Sequence, residues 1–439
     1  MPALSRLLAP AGRAPAPAMG PEFGVLFVVM LTIAAGNTAL QSVLPAIGRS
    51  LRVPDSAVAA AFSVSALLWV IAAPFWARRS DRHGRRRMIL TGVGGFIASV
   101  FLCGVFLAAG IGGLMAPLAA FIAFIFARML YGLFGSAAPP AAQAMVARRT
   151  TRENRTRALT LLGSAFGLGT ILGPALAPFF VLPGVGLAGP AFVFAGLGVL
   201  VFIAVWRALP DDHGSHGAHG AASAYPSIGG QATGASITAA TAEGREEVRW
   251  TDPRLLPWMT IGLVMGHAQA MTGQAIGFLV IDRLGLPLDE AQQAIGIVLM
   301  MGAGTALLAQ WGLIPLLNLA PERLVTWGLA LAAAGCVAIG FATSLYGIAV
   351  AFALSALGFG FVRPGFTAGA SLSVGAAAQG SVAGKTTSIN GASFILGPSI
   401  GVGLYEAWRP LPYFTAAAAL VCLLCYAIIR FKAASTPAG

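Results

Sequence analysis

The sequence predicts an all-α membrane protein, with twelve transmembrane helices arranged as two pseudo-symmetric six-helix bundles. Three observations predict it. The 439 residues are 57% hydrophobic and only 10% charged, where an ordinary soluble domain is roughly 25% charged, so most of the surface must face lipid. Apolar runs long enough to cross a bilayer recur twelve times along the chain. Finally, Ile171-Leu172-Gly173-Pro174 returns as Ile395-Leu396-Gly397-Pro398 at an offset of 224 residues, with Ser164/Ser388 and Gly167/Gly391 in the same register.

A helix needs about 20 apolar residues to cross a hydrocarbon core of roughly 30 Å. After a Pro- and Ala-rich cytoplasmic tail at 1–21, the run from Phe23 to Leu44 is too long for a signal-peptide core and reads as span one, uncleaved. Runs at about 56–76, 88–111, 117–146, 158–181 and 188–208 complete an N-terminal bundle over 22–208. The stretch 209–254 is rich in Gly, Ser, Ala and Thr and reads as a flexible cytoplasmic linker. Runs at about 255–281, 292–314, 324–343, 346–374, 384–405 and 411–430 build a second bundle over 255–431, with a short tail at 432–439. A further match, one residue out of register, pairs Phe134-Gly135 and Pro139 in span four with Phe359-Gly360 and Pro364 in span ten. Repeats of this kind build transporters whose binding site lies at the repeat interface near the bilayer midplane.

The basic residues orient this scheme. Of 27 Lys and Arg, only Arg49, Arg52, Arg283 and Arg409 fall on one side and only Arg128 and Arg363 fall within spans; the other 21 share the side of the N-terminus. Positive residues accumulate in cytoplasmic loops, so both termini are expected inside, in a bacterial inner membrane. Because the arginines punctuate apolar runs and do not form a basic surface, nucleic acid is not expected as a partner. The expected partners are a small-molecule substrate and the bilayer, with the chain acting as a monomer.

Enzyme chemistry finds no support: there is no nucleophile elbow, HExxH pair or phosphate-cradling loop. No cofactor or metal is expected. The four cysteines, Cys103, Cys336, Cys422 and Cys425, lie in apolar runs and read as packing residues. The linker run His213, His216 and His219 could collect a metal weakly and is left unassigned.

Two local patterns carry more information. After span two the chain reads Ser80-Asp81-Arg82-His83-Gly84-Arg85-Arg86-Arg87. A carboxylate at Asp81 can sit against the positive end of a neighbouring helix, with the arginines pairing across the same face. Contacts of that kind exist in one conformation only and so bias a switch. Span five contains Gly169-Thr170-Ile171-Leu172-Gly173-Pro174, where small residues permit close helix approach and the proline bends the helix.

The first pattern resembles the signature loop of the major facilitator superfamily, departing from it at Ala77. Arg128 followed by Gly132 is similar to a motif in that family's fourth helix. The span-five motif resembles one found in its drug/proton antiporters, where small residues let helices five and eight approach closely, although Ala177 and Pro178 replace the two closing glycines. The resemblance covers 22–208 and 255–431. It implies the major facilitator fold, alternating access, and a switch built on Asp81, Arg82, Gly84, Arg85 and Arg86 together with Gly169, Gly173, Pro174, Gly397 and Pro398. It also implies proton-coupled efflux of small amphiphilic compounds.

Ionisable groups inside spans are functional candidates, because each costs about 2.5–3.5 kcal/mol to insert at the bilayer centre. Here they are Arg128, His267 and Arg363; no Asp or Glu lies in the middle of a span, since Glu22, Asp55, Asp282 and Glu406 sit near span ends. The cavity is therefore expected to be cationic. The arginines either bind an organic anion or carboxylate, or Arg128 is structural or part of a proton relay, as the resemblance implies, and Arg363 snorkels. Histidine is the side chain whose charge changes nearest neutral pH, so His267 is either the proton-coupling group, with Arg128 as its companion, or a packing residue. Met271 and Gln274 follow on its helical face, and Asn37 and Gln41 give span one a polar face that lines the path or bonds across helices.

Overall fold

A computed structural model describes residues 20–150, 152–211 and 246–435. Among the described residues the chain forms twelve helical rods, with no strand beyond an isolated bridge between Leu182 and Gly186. They are α1 Pro21–Ser50, α2 Asp55–His83, α3 Arg85–Ile111, α4 Pro117–Arg149, α5 Arg152–Leu176 and α6 Gly189–Ala208. The second set is α7 Leu256–Leu284, α8 Leu288–Leu317, α9 Pro321–Phe341, α10 Leu345–Leu372, α11 Gln379–Ala407 and α12 Leu411–Ser435. The linker histidines His213, His216 and His219 lie outside the described residues.

Ten of these helices are long and apolar enough to cross a membrane. The exceptions are α7 and α11. Both carry polar residues that face protein instead of lipid: Gln274 and Thr272 on α7, and Thr386, Asn390 and Ser393 on α11, are all buried. Large exposed apolar side chains such as Phe126, Leu200 and Phe341 mark the outer surface, as expected of a multi-pass membrane protein.

Local sequence explains the helix ends. Proline occupies the first turn of α1, α4, α6, α7 and α9, where its missing N–H is not needed. In α4, Pro139 and Pro140 lie mid-rod; each removes a donor and crowds the carbonyl four residues back, and Gly135–Ala137 tightens into a 3-10 turn. Gly285 ends α7 in the left-handed region at φ 62°, and Ser344 caps α10 by accepting from the Gly347 amide at 3.2 Å. Between α2 and α3, Gly84 holds φ 93° and ψ 140°, a conformation that L side chains adopt only under strain. Gly84→Val should therefore lower thermal stability by about 1–2 kcal/mol, read as an earlier melting midpoint in detergent; an unchanged midpoint would show that the turn rearranges freely.

The helices pack as two groups, α1–α6 and α7–α12, which meet through α1 with α7 and α8, α2 with α11, and α5 with α8. In the first group Gly169 and Gly173, one turn apart, put one face of α5 directly on the α1 backbone: a Cβ at Gly169 would strike the Leu31 carbonyl, and one at Gly173 the Ala35 carbonyl. The second group repeats the arrangement, with Gly397 and Gly401 of α11 against Ala270 and Met271 of α7. These glycines thus bind helices within each group. The α5–α8 contact is carried instead by prolines, where Pro174 and Pro178 pack on Gly296.

α1 begins, and α12 finishes, at the same end of the structure, here called the proximal end. There Glu22 pairs with Arg149, Arg86 pairs with Asp211 at 2.6 Å and donates to the Trp206 carbonyl, and Arg85 is buried. The side chains of Asp81 and Arg82 lie outside the described residues. The Arg86 contacts tie α3 to the end of α6 within one group. Linker residues 246–250 dock beneath α11: the Val248 amide donates to Ser381 Oγ at 3.1 Å, and Lys385 lies 5.0 Å from the Trp250 ring centre. Nearby, the Arg254 guanidinium and amide bond to Asp252 and hold its carboxyl below the usual range.

Candidate functional site: a central cavity and a distal ionic cluster

Between the two groups lies a cavity of about 580 Å³, walled by α1, α5, α7, α8, α10 and α11. It reaches Thr160, Ile314 and Ser371 at the proximal end and stops at Pro45 and Gly277 towards the distal end, where the Pro45 ring packs on Gly277. Its apolar wall includes Phe352, Phe359, Phe394 and Trp311; Gln41, Gln269, Gln274 and Gln310 supply amides. Gln310 and Trp311 share the wall because α8 loosens into a π-helical turn over Leu308–Leu313, a distortion common at functional positions.

Arg363 is the one charged residue on this wall among the described residues. It is 2% exposed. Its Nη1 donates to Asn390 Oδ1 and its Nη2 to Gln269 Oε1, while its Nε has no partner. Pro364 follows it inside α10, which runs on through the proline.

Two cross-group pairs share a separation of 233 residues. Gln41 Nε2 donates to Gln274 Oε1 at 3.0 Å, and Arg49 Nη2 to Asp282 Oδ2 at 3.1 Å. Equal separation means that α1 and α7 run parallel and hold one register where the two groups meet.

The second of these pairs belongs to a cluster that shuts the distal end. Arg49 forks onto Asp55, with Nε to Oδ1 at 2.8 Å and Nη2 to Oδ2 at 2.6 Å, the bidentate geometry that suits a carboxylate. Asp282 also accepts from the Tyr405 hydroxyl at 2.6 Å and pairs with Arg409 at 3.3 Å. Glu406 accepts from the Ser56 amide at 2.8 Å, so a carboxylate of one group caps the N-terminus of α2 in the other. Sequence reasoning saw these residues only as span-end charges; their convergence carried no local signal. Gln269 and Asn390 were missed too, being ordinary polar residues until α10 brings Arg363 between them.

The other sequence candidates divide. Gln41, Gln274, Arg363, Pro174 and Pro398 line the cavity; Arg128, Asn37, His267 and Met271 are not on its wall. Arg128 is buried behind it, where Nη2 donates to Asn37 Oδ1 and the guanidinium lies 4.8 and 4.7 Å from the Phe62 and Tyr131 ring centres. Two aromatic faces and an amide substitute for a carboxylate there. His267 is half-buried, with Nδ1 2.8 Å from the Leu263 carbonyl of its own helix; Met271 is buried beneath Gly401.

Comparison with known proteins places this architecture. The chain is 24% identical over 388 residues to the class E tetracycline resistance protein of Escherichia coli, covering 87% of each chain, and 27% identical over 407 residues to the class G tetracycline resistance protein of Vibrio anguillarum, covering 90% of this chain and 94% of that one. It is 31% identical over 144 residues to multidrug resistance protein 2 of Bacillus subtilis, a match that spans 33% of this chain and only 32% of that protein's length. Among solved structures, a nucleoside transporter superposes with TM-score 0.66 at 11% identity, covering 94% of this chain and 100% of that one. The human organic anion transporter TETRAN superposes with TM-score 0.59 at 19% identity, covering 93% and 99%. A sequence model of the Major Facilitator Superfamily matches residues 26–391, and with the twelve-helix architecture already in view, the conclusion is that this chain belongs to the major facilitator superfamily and is a transporter, not an enzyme.

Proposed function

We propose that the chain is a proton-coupled exporter of small amphiphilic compounds in the bacterial inner membrane, working as a monomer by alternating access. The bundles 22–208 and 255–431 rock against each other about the α1–α7 axis, with both termini and the linker 209–254 in the cytoplasm. The observation that carries this reading is a cavity between the groups that reaches the proximal helix ends while a cross-group ionic cluster closes the distal end. That is the form expected of a carrier facing the cytoplasm. The charge asymmetry of the sequence supports the orientation, and tetracycline and multidrug resistance relatives support export. The proximal contacts of Arg85 and Arg86, the turn at Gly84 and the span-five motif are the parts of the switch on this reading. His267 lies on the same helical face as Gln274, seven residues on, and is assigned the proton.

Everted vesicles carrying the protein should take up amphiphilic dyes when acidified inside, and should release protons as dye enters. His267→Gln should leave dye binding intact and abolish the proton signal. Dye flux that neither responds to a pH gradient nor moves protons would remove the coupling, and retained coupling in His267→Gln would move it to another group.

A further inference from the structure

We infer that the central cavity selects amphiphiles carrying an anionic group, which Arg363 and Gln269 receive together while the aromatic wall takes the apolar body. This rests on the export reading above and names the substrate class of that same site.

Among the described residues the wall holds one charge and no countercharge. Arg363 spends two of its N–H groups on the neutral oxygens of Asn390 and Gln269, and leaves Nε buried without a partner. No carboxylate lines the cavity among the described residues. The acids at the distal end, Asp55, Asp282 and Glu406, are each engaged in the ionic cluster. Gln269 Oε1 accepts from Arg363, which leaves its Nε2 to donate. A buried cation with an unused donor favours an arriving anion by charge-assisted hydrogen bonding. A lipophilic cation would meet the same positive charge with no carboxylate to offset it. Phe359 and Phe394 share the wall with Arg363, so an anionic head at Arg363 leaves the ring-bearing part of the ligand against apolar surface. Arg128 takes no part, being sealed behind the wall between Phe62 and Tyr131.

Three probes with one fluorescent body separate the possibilities: dansylglycine (anionic), dansylamide (neutral) and dansylcholine (cationic). They are titrated into the full-length protein in phosphatidylcholine nanodiscs. Dansylglycine should bind at least tenfold tighter than dansylamide, and dansylcholine should bind weakest. Arg363→Gln should bring the dansylglycine affinity down to that of dansylamide, and Arg363→Lys should keep part of the preference. Equal binding of the three by the unmodified protein, or dansylcholine binding tightest, overturns the inference without any variant and leaves the export reading standing. Competition by added phosphatidylglycerol would assign the anion to a lipid headgroup and overturn the selection of free amphiphiles. Ala303→Trp, which fills the cavity, should remove binding of all three probes; undiminished binding would place them elsewhere and overturn both readings.

Discussion

Asp282→Asn should open the distal end. The Asp282 carboxylate joins Arg49 of α1, Arg409 of the α11–α12 turn and the Tyr405 hydroxyl, and it is 10% exposed. Asparagine keeps the shape and loses the charge. The arginine side chains are 35% and 57% exposed, so both pairs are partly screened and each contributes at the low end, about 0.5–1 kcal/mol. Only the Arg49 pair joins the two groups, so about 0.5–1 kcal/mol is present only while the distal end is closed. A contribution confined to one state shifts the equilibrium between states by its full value, here roughly 2- to 5-fold. The rate at which an impermeant maleimide labels Gln41→Cys from the distal side, in a background lacking the four native cysteines, should rise by that factor in Asp282→Asn. An unchanged rate would show that the cluster is a bystander to closure.

The second large effect concerns packing, not charge. Gly173→Val should prevent assembly of the α1–α5 pair, because the new Cβ meets the Ala35 carbonyl and Thr38 Oγ1. Replacing a helical glycine ordinarily gains up to about 1 kcal/mol of helix propensity, but overpacking a close contact costs about 1–3 kcal/mol. Backbone on the opposing side cannot rotate away as a side chain can, so the loss wins. The melting midpoint and the monodisperse yield in detergent should both fall, and transport with them. Gly403→Ala is the control: a Cβ there meets nothing within 4 Å, and its stability should match or exceed that of the parent. Equal stability of the two variants would mean that α1 and α5 are not in close contact in the membrane.

Helix number, the repeat and Arg363 as an intramembrane charge were all legible in the sequence, since each depends on composition or spacing within a segment. Other features were legible only in part. The motif at Gly169 and Gly173 announced close approach to the eighth helix; the glycines meet α1 instead, and it is Pro174 and Pro178 that meet α8. α7 and α11 read as ordinary apolar runs, yet fall short of the apolarity of a free-standing span because their polar residues face protein. Arg128 and Arg363 looked alike as mid-span arginines, and packing separated them: one is sealed between rings, the other lines the cavity.

The sequence alone determined that this chain crosses a membrane many times, that it does so as a doubled unit, and that positive charge without mid-span acid lies within it. Those properties follow from hydropathy and charge along the chain, which each segment carries independently of its neighbours. Tertiary structure alone decided that Arg49 meets Asp282, that Gln41 meets Gln274 and that Gln269 and Asn390 flank Arg363. These pairs are up to 233 residues apart, and whether two such side chains touch depends on how each helix is rotated in the packed bundle, which no local pattern specifies.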